Sequence, residues 1–170
     1  PSALDLHQMS SVEAVALIER YPQAASSLVA PASMICSPEV ASALNAVQRE
    51  TLSIVVWSSA DEVDLGKCLS ALEAELILLD LGDTEDAALA QIAGEERICA
   101  LTVTGDLITD DGVAHILDLR GLRKLDIRAT GMTDAGLEQI TRMKQLSGLS
   151  LTAGDFSREA LGTISRLDKL

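Results

Sequence analysis

The sequence predicts an α/β solenoid of about five stacked units, each a short strand followed by a helix. The strands lie parallel on the inside and the helices outside. Three observations predict it. Leu101, Leu125 and Leu149 open three blocks spaced 24 residues apart. Seven apolar or hydroxyl positions keep one register across those blocks. Each block starts with period-two alternation and continues with apolar residues at three-residue steps, the signatures of a strand and then a helix.

The clearest repeats are 101–124, 125–148 and 149–170. Their third position is Val103, Ile127 and Leu151, and their eighth is Ile108, Met132 and Phe156. The ninth is Thr109, Thr133 and Ser157, and the thirteenth is Val113, Leu137 and Leu161. Ile116, Ile140 and Ile164 share the sixteenth, Leu119, Met143 and Leu167 the nineteenth, and Leu122, Leu146 and Leu170 the twenty-second.

Leu125-Asp126-Ile127-Arg128 alternates, which makes a strand with one buried face. Thr133 offers a hydroxyl to the free N–H groups of a helix start, and Asp134 suits its positive end. Leu137, Ile140 and Met143 then form one helical stripe. Gly112 and Gly136 fall early in these helices and predict close packing on a neighbour, since glycine there otherwise costs about 1 kcal/mol. A unit of 24 residues cannot bury its own core, so neighbours must stack.

Weaker blocks precede these. Residues 77–100 keep Ile77, Leu79, Leu89, Ile92 and Ile98 in register. Residues 53–76 carry an apolar strand and then Leu65, Leu69, Leu72 and Leu76 at helical spacing; either Val55 with Trp57 or Ile54 with Val56 faces inward. Residues 29–52 form a degenerate unit, with Ser37-Pro38-Glu39 as helix start and Leu44 and Val47 inside. The solenoid therefore spans 35–170, and residues 1–34 form an N-terminal helical cap or linker. Within that cap a helix follows Ser10-Ser11, with Ser11 as N-cap and Val12, Val15 and Ile18 inward, and Pro22 ends it. Residues 23–34 form a second short helix or a linker.

The run Leu122-x-x-Leu125-x-Ile127-x-x-Thr130-x-Met132-Thr133-Asp134-x-Gly136-Leu137 resembles leucine-rich repeats of the TDxGL type. These occur in bacterial repeat proteins and in the substrate-receptor repeats of some eukaryotic ubiquitin ligases. The resemblance is tight over 98–170 and loose over 51–97. The chain departs from the family's Asn/Cys ladder position, which carries Thr130 here but Asp106 and Gly154 elsewhere. The resemblance implies a concave strand face that binds other proteins, without catalysis.

Composition bounds the function. Apolar residues make up 48% of the 170, which argues against wholesale disorder. No apolar run approaches the roughly 18–20 residues of a membrane span. No signal peptide is visible, in a chain whose Pro1-Ser2 start is open to earlier trimming. The net charge is −13. Residues 1–96 hold three basic and 16 acidic groups, whereas 97–170 hold ten of each. The acidic half disfavours nucleic acid and anionic membrane surfaces as partners. It suits a basic partner, attraction between copies, or simply solubility. Cys36, Cys68 and Cys99 form no CxxC, so buried thiols in a reducing, cytoplasmic setting are the simplest account, with a single disulfide as the alternative.

The sequence holds no phosphate-binding, dinucleotide, metalloprotease or nucleophile-elbow motif. His7 has no sequence-near partner, and His115 falls on a helix beside core Ile116. Asp61-Glu62-x-Asp64 and Asp83-x-Glu85-Asp86 sit at helix starts and lack the glycine and spacing of a calcium loop. The cysteines occupy different block positions and stack into no metal site. No enzyme, metal site or cofactor is expected.

The expectation is a non-catalytic protein-binding or scaffolding module. Its predicted binding face runs from Ile54, Val56 and Trp57 (or their one-residue alternates) through Leu78, Asp80 and Leu81. It continues through Thr102, Thr104, Asp126, Arg128, Ser150 and Thr152. Trp57 in an apolar patch reads as a binding hot spot, or as core in the shifted register or beneath the N-terminal segment. Arg120, Arg123, Lys124 and Lys144, with Arg128 nearby, cluster at the return to the strands. They meet an acidic partner or another copy's acidic half, or form a solvated mixed-charge face. The alternative function is a regulatory or assembly domain of a larger protein. It would dock or self-associate through a C-terminal edge showing Leu151, Leu161, Ile164 and Leu167, unless Arg158, Glu159, Arg166, Asp168 and Lys169 solvate that edge.

Overall fold

The computed structural model describes residues 3–47, 50–57, 63–129, 131–152 and 156–170, with backbone alone at Trp57. Asp61, Glu62, Thr130 and Gly154, used above, lie outside the described residues.

Among the described residues seven strands form one sheet. They are β1 (Leu4–Asp5), β2 (Ser27–Pro31), β3 (Thr51–Trp57), β4 (Leu76–Gly82), β5 (Ile98–Thr104), β6 (Lys124–Arg128) and β7 (Gly148–Thr152). Every pairing is parallel, and the order in space is the order in sequence. Helices fill the connections: α1 (Ser11–Arg20), α2 (Ala32–Ile35), α3 (Pro38–Ala46), α4 (Leu65–Ser70), α5 (Asp86–Ile92), α6 (Asp110–Ile116) and α7 (Asp134–Ile140). After β7 come α8 (Arg158–Gly162) and a 3-10 turn, Thr163–Arg166. Parallel neighbours in sequence order are joined by right-handed crossovers as a rule, which puts successive helices on one side of the sheet.

The register gives the repeat its measure. Leu4, Leu28, Ile54, Leu79, Leu101, Leu125 and Leu149 are successive partners across the sheet. The steps are 24, 26, 25, 22, 24 and 24 residues. A second row, Ala30, Val56, Leu81, Val103, Ile127 and Leu151, runs beside it. Both rows face the helices, where Leu65, Leu69, Leu89, Ile92, Val113, Ile116 and Ile140 complete one continuous core. Each fully buried side chain contributes roughly 1.5–3 kcal/mol relative to exposure, and it does so only because a neighbouring unit covers it. In the last rung Leu149 and Leu151 are half-buried, with β6 on one side only.

Hydrogen bonds tie unit to unit at the helix starts. Thr109 and Thr133 accept from the backbone two residues on, each at 3.2 Å, and Ser157 accepts from Ala160 at 3.1 Å. These are the predicted N-caps. The aspartates that open α5, α6 and α7 turn the other way, toward the next unit. Asp86 takes the Thr109 N–H at 2.9 Å and its hydroxyl at 2.5 Å. Asp110 takes the same two groups of Thr133 at 2.9 and 2.6 Å. Asp134 accepts the Ser157 N–H at 2.9 Å, and Ser157 holds that carboxyl below its usual range. Helix dipole alone was the expected role; each of these carboxylates also bonds across to the next unit.

Arg97 makes a second staple, between β5 and the end of α4. Its guanidinium donates to the carbonyls of Leu69 at 2.7 Å, Ala74 at 3.3 Å and Leu72, and to Glu95 at 2.6 and 2.8 Å. Asn45 makes a third: Nδ2 donates to the Ala71 carbonyl and Oδ1 accepts the Glu73 N–H, both at 2.9 Å.

Several expectations are corrected. Residues 1–34 contain the expected helix but also β1 and β2, so this segment extends the sheet. Seven rungs result where about five were expected. Ser10, not Ser11, caps α1, through a reciprocal capping box with Glu13. Val12 is 79% exposed, and Ala14 and Ile18 are the inward pair. Leu76 starts β4 at 45% exposure instead of continuing a helical stripe. At the far end Leu167 is buried, not part of an exposed edge. Cys36 and Cys68 form a disulfide with Cα atoms 4.6 Å apart, tying the end of α2 to α4. Only Cys99 is a free thiol, and it is half-buried.

Candidate functional site

One face of the sheet carries the helices, and among the described residues the other carries none. Parallel sheets are normally covered on both faces. The free face is therefore the feature of this fold that asks for an explanation.

Its side chains follow from alternation. The central row is Asp5, Val29, Val55, Asp80, Thr102, Asp126 and Ser150, one residue per strand. At about 4.8 Å per strand this row is about 29 Å long. Beside it run Ser27, Ser53, Leu78, Ala100, Lys124 and Gly148. The face is aliphatic around Val29, Val55 and Leu78, then charged, then hydroxylic at Ser150 and Thr152.

The middle holds the charge. Asp126 Oδ2 meets the Arg128 guanidinium at 3.3 Å. Among the described residues its Oδ1 is shut from solvent without a hydrogen-bond partner. Burial pushes the Asp80 carboxyl above its usual range; Arg128 opposes this and Asp126 adds to it. Small residues flank Lys124: a Cβ on Gly148 would lie 3.3 Å from its Cγ. A depression of about 340 Å³ opens here, with Ala100, Thr102, Lys124, Asp126, Gly148 and Ser150 in its walls. A carboxylate–hydroxyl–carboxylate row next to aliphatic ground can hold a cationic side chain together with its methylene stem.

Of the predicted face residues, Leu78, Asp80, Thr102 and Asp126 lie half-buried on this face, and Thr104, Arg128, Ser150 and Thr152 lie exposed on it. Three do not. Ile54, Val56 and Leu81 are 0%, 2% and 3% exposed and belong to the core rows. The reason is the register of β3 and β4, where Ile54 pairs with Leu79 and Val56 with Leu81. Trp57 has its backbone between Pro31 and Gly82, and its side chain lies outside the described residues. Val29, Ser53, Ala100 and Gly148 were missed, and Val55 had been left open as the one-residue alternate. The signal for Val55 was present in its alternation with Ile54 and Val56, and only a neighbouring strand could choose the phase.

The basic cluster divides. Arg120, Arg123 and Lys144 are exposed on the return loops, and Lys124 opens β6. Arg128 stands at the other end of that strand, with Asp126. His115 is a half-buried residue of α6, as expected. Among the described residues no group of three or more His, Cys, Asp or Glu side chains is placed to hold a metal ion. Among them, too, no helix is long and apolar enough to cross a membrane. The sequence matches no known family model, and no curated protein matches it.

Proposed function

We propose that this chain is a leucine-rich-repeat module that binds another protein through the free face of its sheet, as a scaffold and not as a catalyst. One observation carries the proposal: a seven-stranded parallel sheet with one face bare of helices among the described residues, bearing aliphatic and half-buried charged side chains. The near-constant 24-residue step and the threonine–aspartate bonds between units support the repeat type. A stack of this kind presents a preshaped surface that needs little ordering on binding, which limits the entropic cost of association. The cytoplasmic expectation rested on unpaired thiols; the Cys36–Cys68 disulfide removes that support, because such bonds persist in oxidising surroundings.

Photo-cross-linking residues placed at Thr102 and Ser150, with Ala114 on α6 as control, test the proposal in cell extract. Adducts to one protein from the two strand positions and none from Ala114 are expected. Adducts from the helix position alone would reject it.

A second reading rests on the last rung, where Leu149 and Leu151 are half-buried while their partners Leu125 and Ile127 are buried. Here the chain is an assembly or regulatory domain, and a further layer stacks on β7.

A further inference from the structure

The loops that lead from each helix back to the next strand make one long edge of the stack. Among the described residues the charge not already paired changes sign once along this edge; Arg49, beside Glu50, lies outside them. Glu50 precedes β3, Glu73 and Glu75 precede β4, and Glu96 precedes β5; all four are exposed. Arg123 leads into β6, Arg142 and Lys144 precede β7, and Arg166 ends the turn after α8; these too are exposed. Asp118 and Asp168 dilute the basic stretch without reversing it. None of the eight is spent on an ion pair: among the described residues the ion pairs are Lys67–Asp64, Arg97–Glu95 and Arg128–Asp126. The Arg123 guanidinium donates to the carbonyls of Arg120 and Leu122, and the Lys144 ammonium to that of Arg166.

The spacing is symmetric about the boundary between β5 and β6. Counting outward, acids occupy the first, second and third rungs on one side, and bases occupy the first, second and third positions on the other. Because each rung rises by the same strand spacing, a two-fold axis at this boundary brings every acidic rung against a basic one. Such a contact is self-complementary and closed.

The acidic stretch is also hollow. A cavity of about 230 Å³ has Glu50, Glu73 and Glu75 at its rim and Leu44, Leu52 and Leu72 in its walls. Apolar walls and an acidic rim suit an arginine, whose stem is aliphatic and whose head is a cation. The same two-fold axis places the second basic position, which holds Arg142, opposite this rim.

We propose that the chain pairs with a second copy of itself, edge to edge and antiparallel. Arg142 of each copy enters the acidic cavity of the other, and Glu96 of each faces Arg123 of the other. The free faces of both copies stay open, so this pairing stands or falls apart from the protein-binding proposal. The edge is narrow beside the roughly 800 Å² per partner of a standard interface, so the dimer is weak and depends on salt.

Sedimentation velocity on the 170-residue chain tests it. Dimer is expected at low ionic strength, with the dissociation constant rising about tenfold or more as salt goes from about 20 to 300 mM. The variants R142E/K144E and E73K/E75K, each checked for wild-type circular dichroism, are expected to be monomeric alone. Mixed one to one they are expected to form a heterodimer, because every reversed charge then meets its opposite. That rescue cannot come from misfolding. Monomer under all conditions overturns the proposal. So does a dimer indifferent to salt and to these substitutions, which would place the contact at the β7 end. Binding of a lysine-rich peptide by a chain that stays monomeric overturns it as well.

Discussion

A Cβ built on Gly112 would land inside the carboxylate of Asp86, one repeat earlier. Asp86 is fixed there by its two bonds to Thr109, three residues before the glycine. Gly136 stands in the same relation to Asp110 and Thr133. Threonine, aspartate and glycine thus form one device across two units. The threonine caps its helix and anchors the previous aspartate, and the glycine leaves that aspartate room.

Glycine to alanine inside a helix ordinarily gains up to about 1 kcal/mol. Here Gly112→Ala is expected to cost about 1–2 kcal/mol, because the added methyl displaces a hydrogen-bonded carboxylate. Asp86→Ala removes the obstacle, so the double variant should fall short of the summed losses by at least about 0.5 kcal/mol. Urea unfolding of the four proteins measures the coupling, and strictly additive losses would refute the device.

Arg97→Ala withdraws donors from the Leu69, Leu72 and Ala74 carbonyls and should cost about 2 kcal/mol. Lysine cannot span the same acceptors, so Arg97→Lys should recover less than half of that. The bond from Arg97 holds Glu95 below its ordinary value of 4.5. A lowered folded-state value gives stability that is complete above the unfolded value and lost as pH falls through the folded one. Glu95→Gln should therefore flatten the acid limb of the stability profile below about pH 4.5. An unchanged limb would show that Glu95 does not contribute to it.

Asp80 has the opposite sign. Burial raises its carboxyl above 3.8, so the folded chain holds the proton more tightly than the unfolded one. Stability attributable to this group falls as pH rises between those two values. Asp80→Asn should match the wild type near pH 3 and exceed it at pH 7. A variant less stable at pH 7 would mean that the carboxylate is already well partnered. A charged group retained on the free face against stability is what a binding surface would keep.

The disulfide joins residues 32 apart in sequence. Closing a loop of that length is worth about 3.7 kcal/mol. Thiol titration of the unfolded, unreduced chain should find one free group, and three after reduction. Reductant should lower the unfolding midpoint in proportion, and Cys36→Ser with Cys68→Ser should be insensitive to it. Three thiols before reduction would remove the bridge.

Legibility followed the range of the signal. The inward leucines of 101–148 were readable because strand alternation and helix spacing are local. The caps at Thr109, Thr133 and Ser157 were readable for the same reason. The partner of each aspartate was not, since it lies 23 residues away in the next unit. β1 and β2 went unread because Leu4–Asp5 is too short to carry a pattern, and Ser27–Pro31 is mostly small residues.

The sequence by itself determined the period, the stacking of incomplete units and the inner faces of the regular repeats, because those follow from side-chain spacing along one strand or helix. Tertiary structure decided the phase of β3, the rungs at the N-terminal end, the meeting of Cys36 with Cys68 and the membership of the free face. Each depends on which neighbour a backbone bonds to. A shift of one residue in that bonding exchanges core for surface while leaving the local pattern as it was.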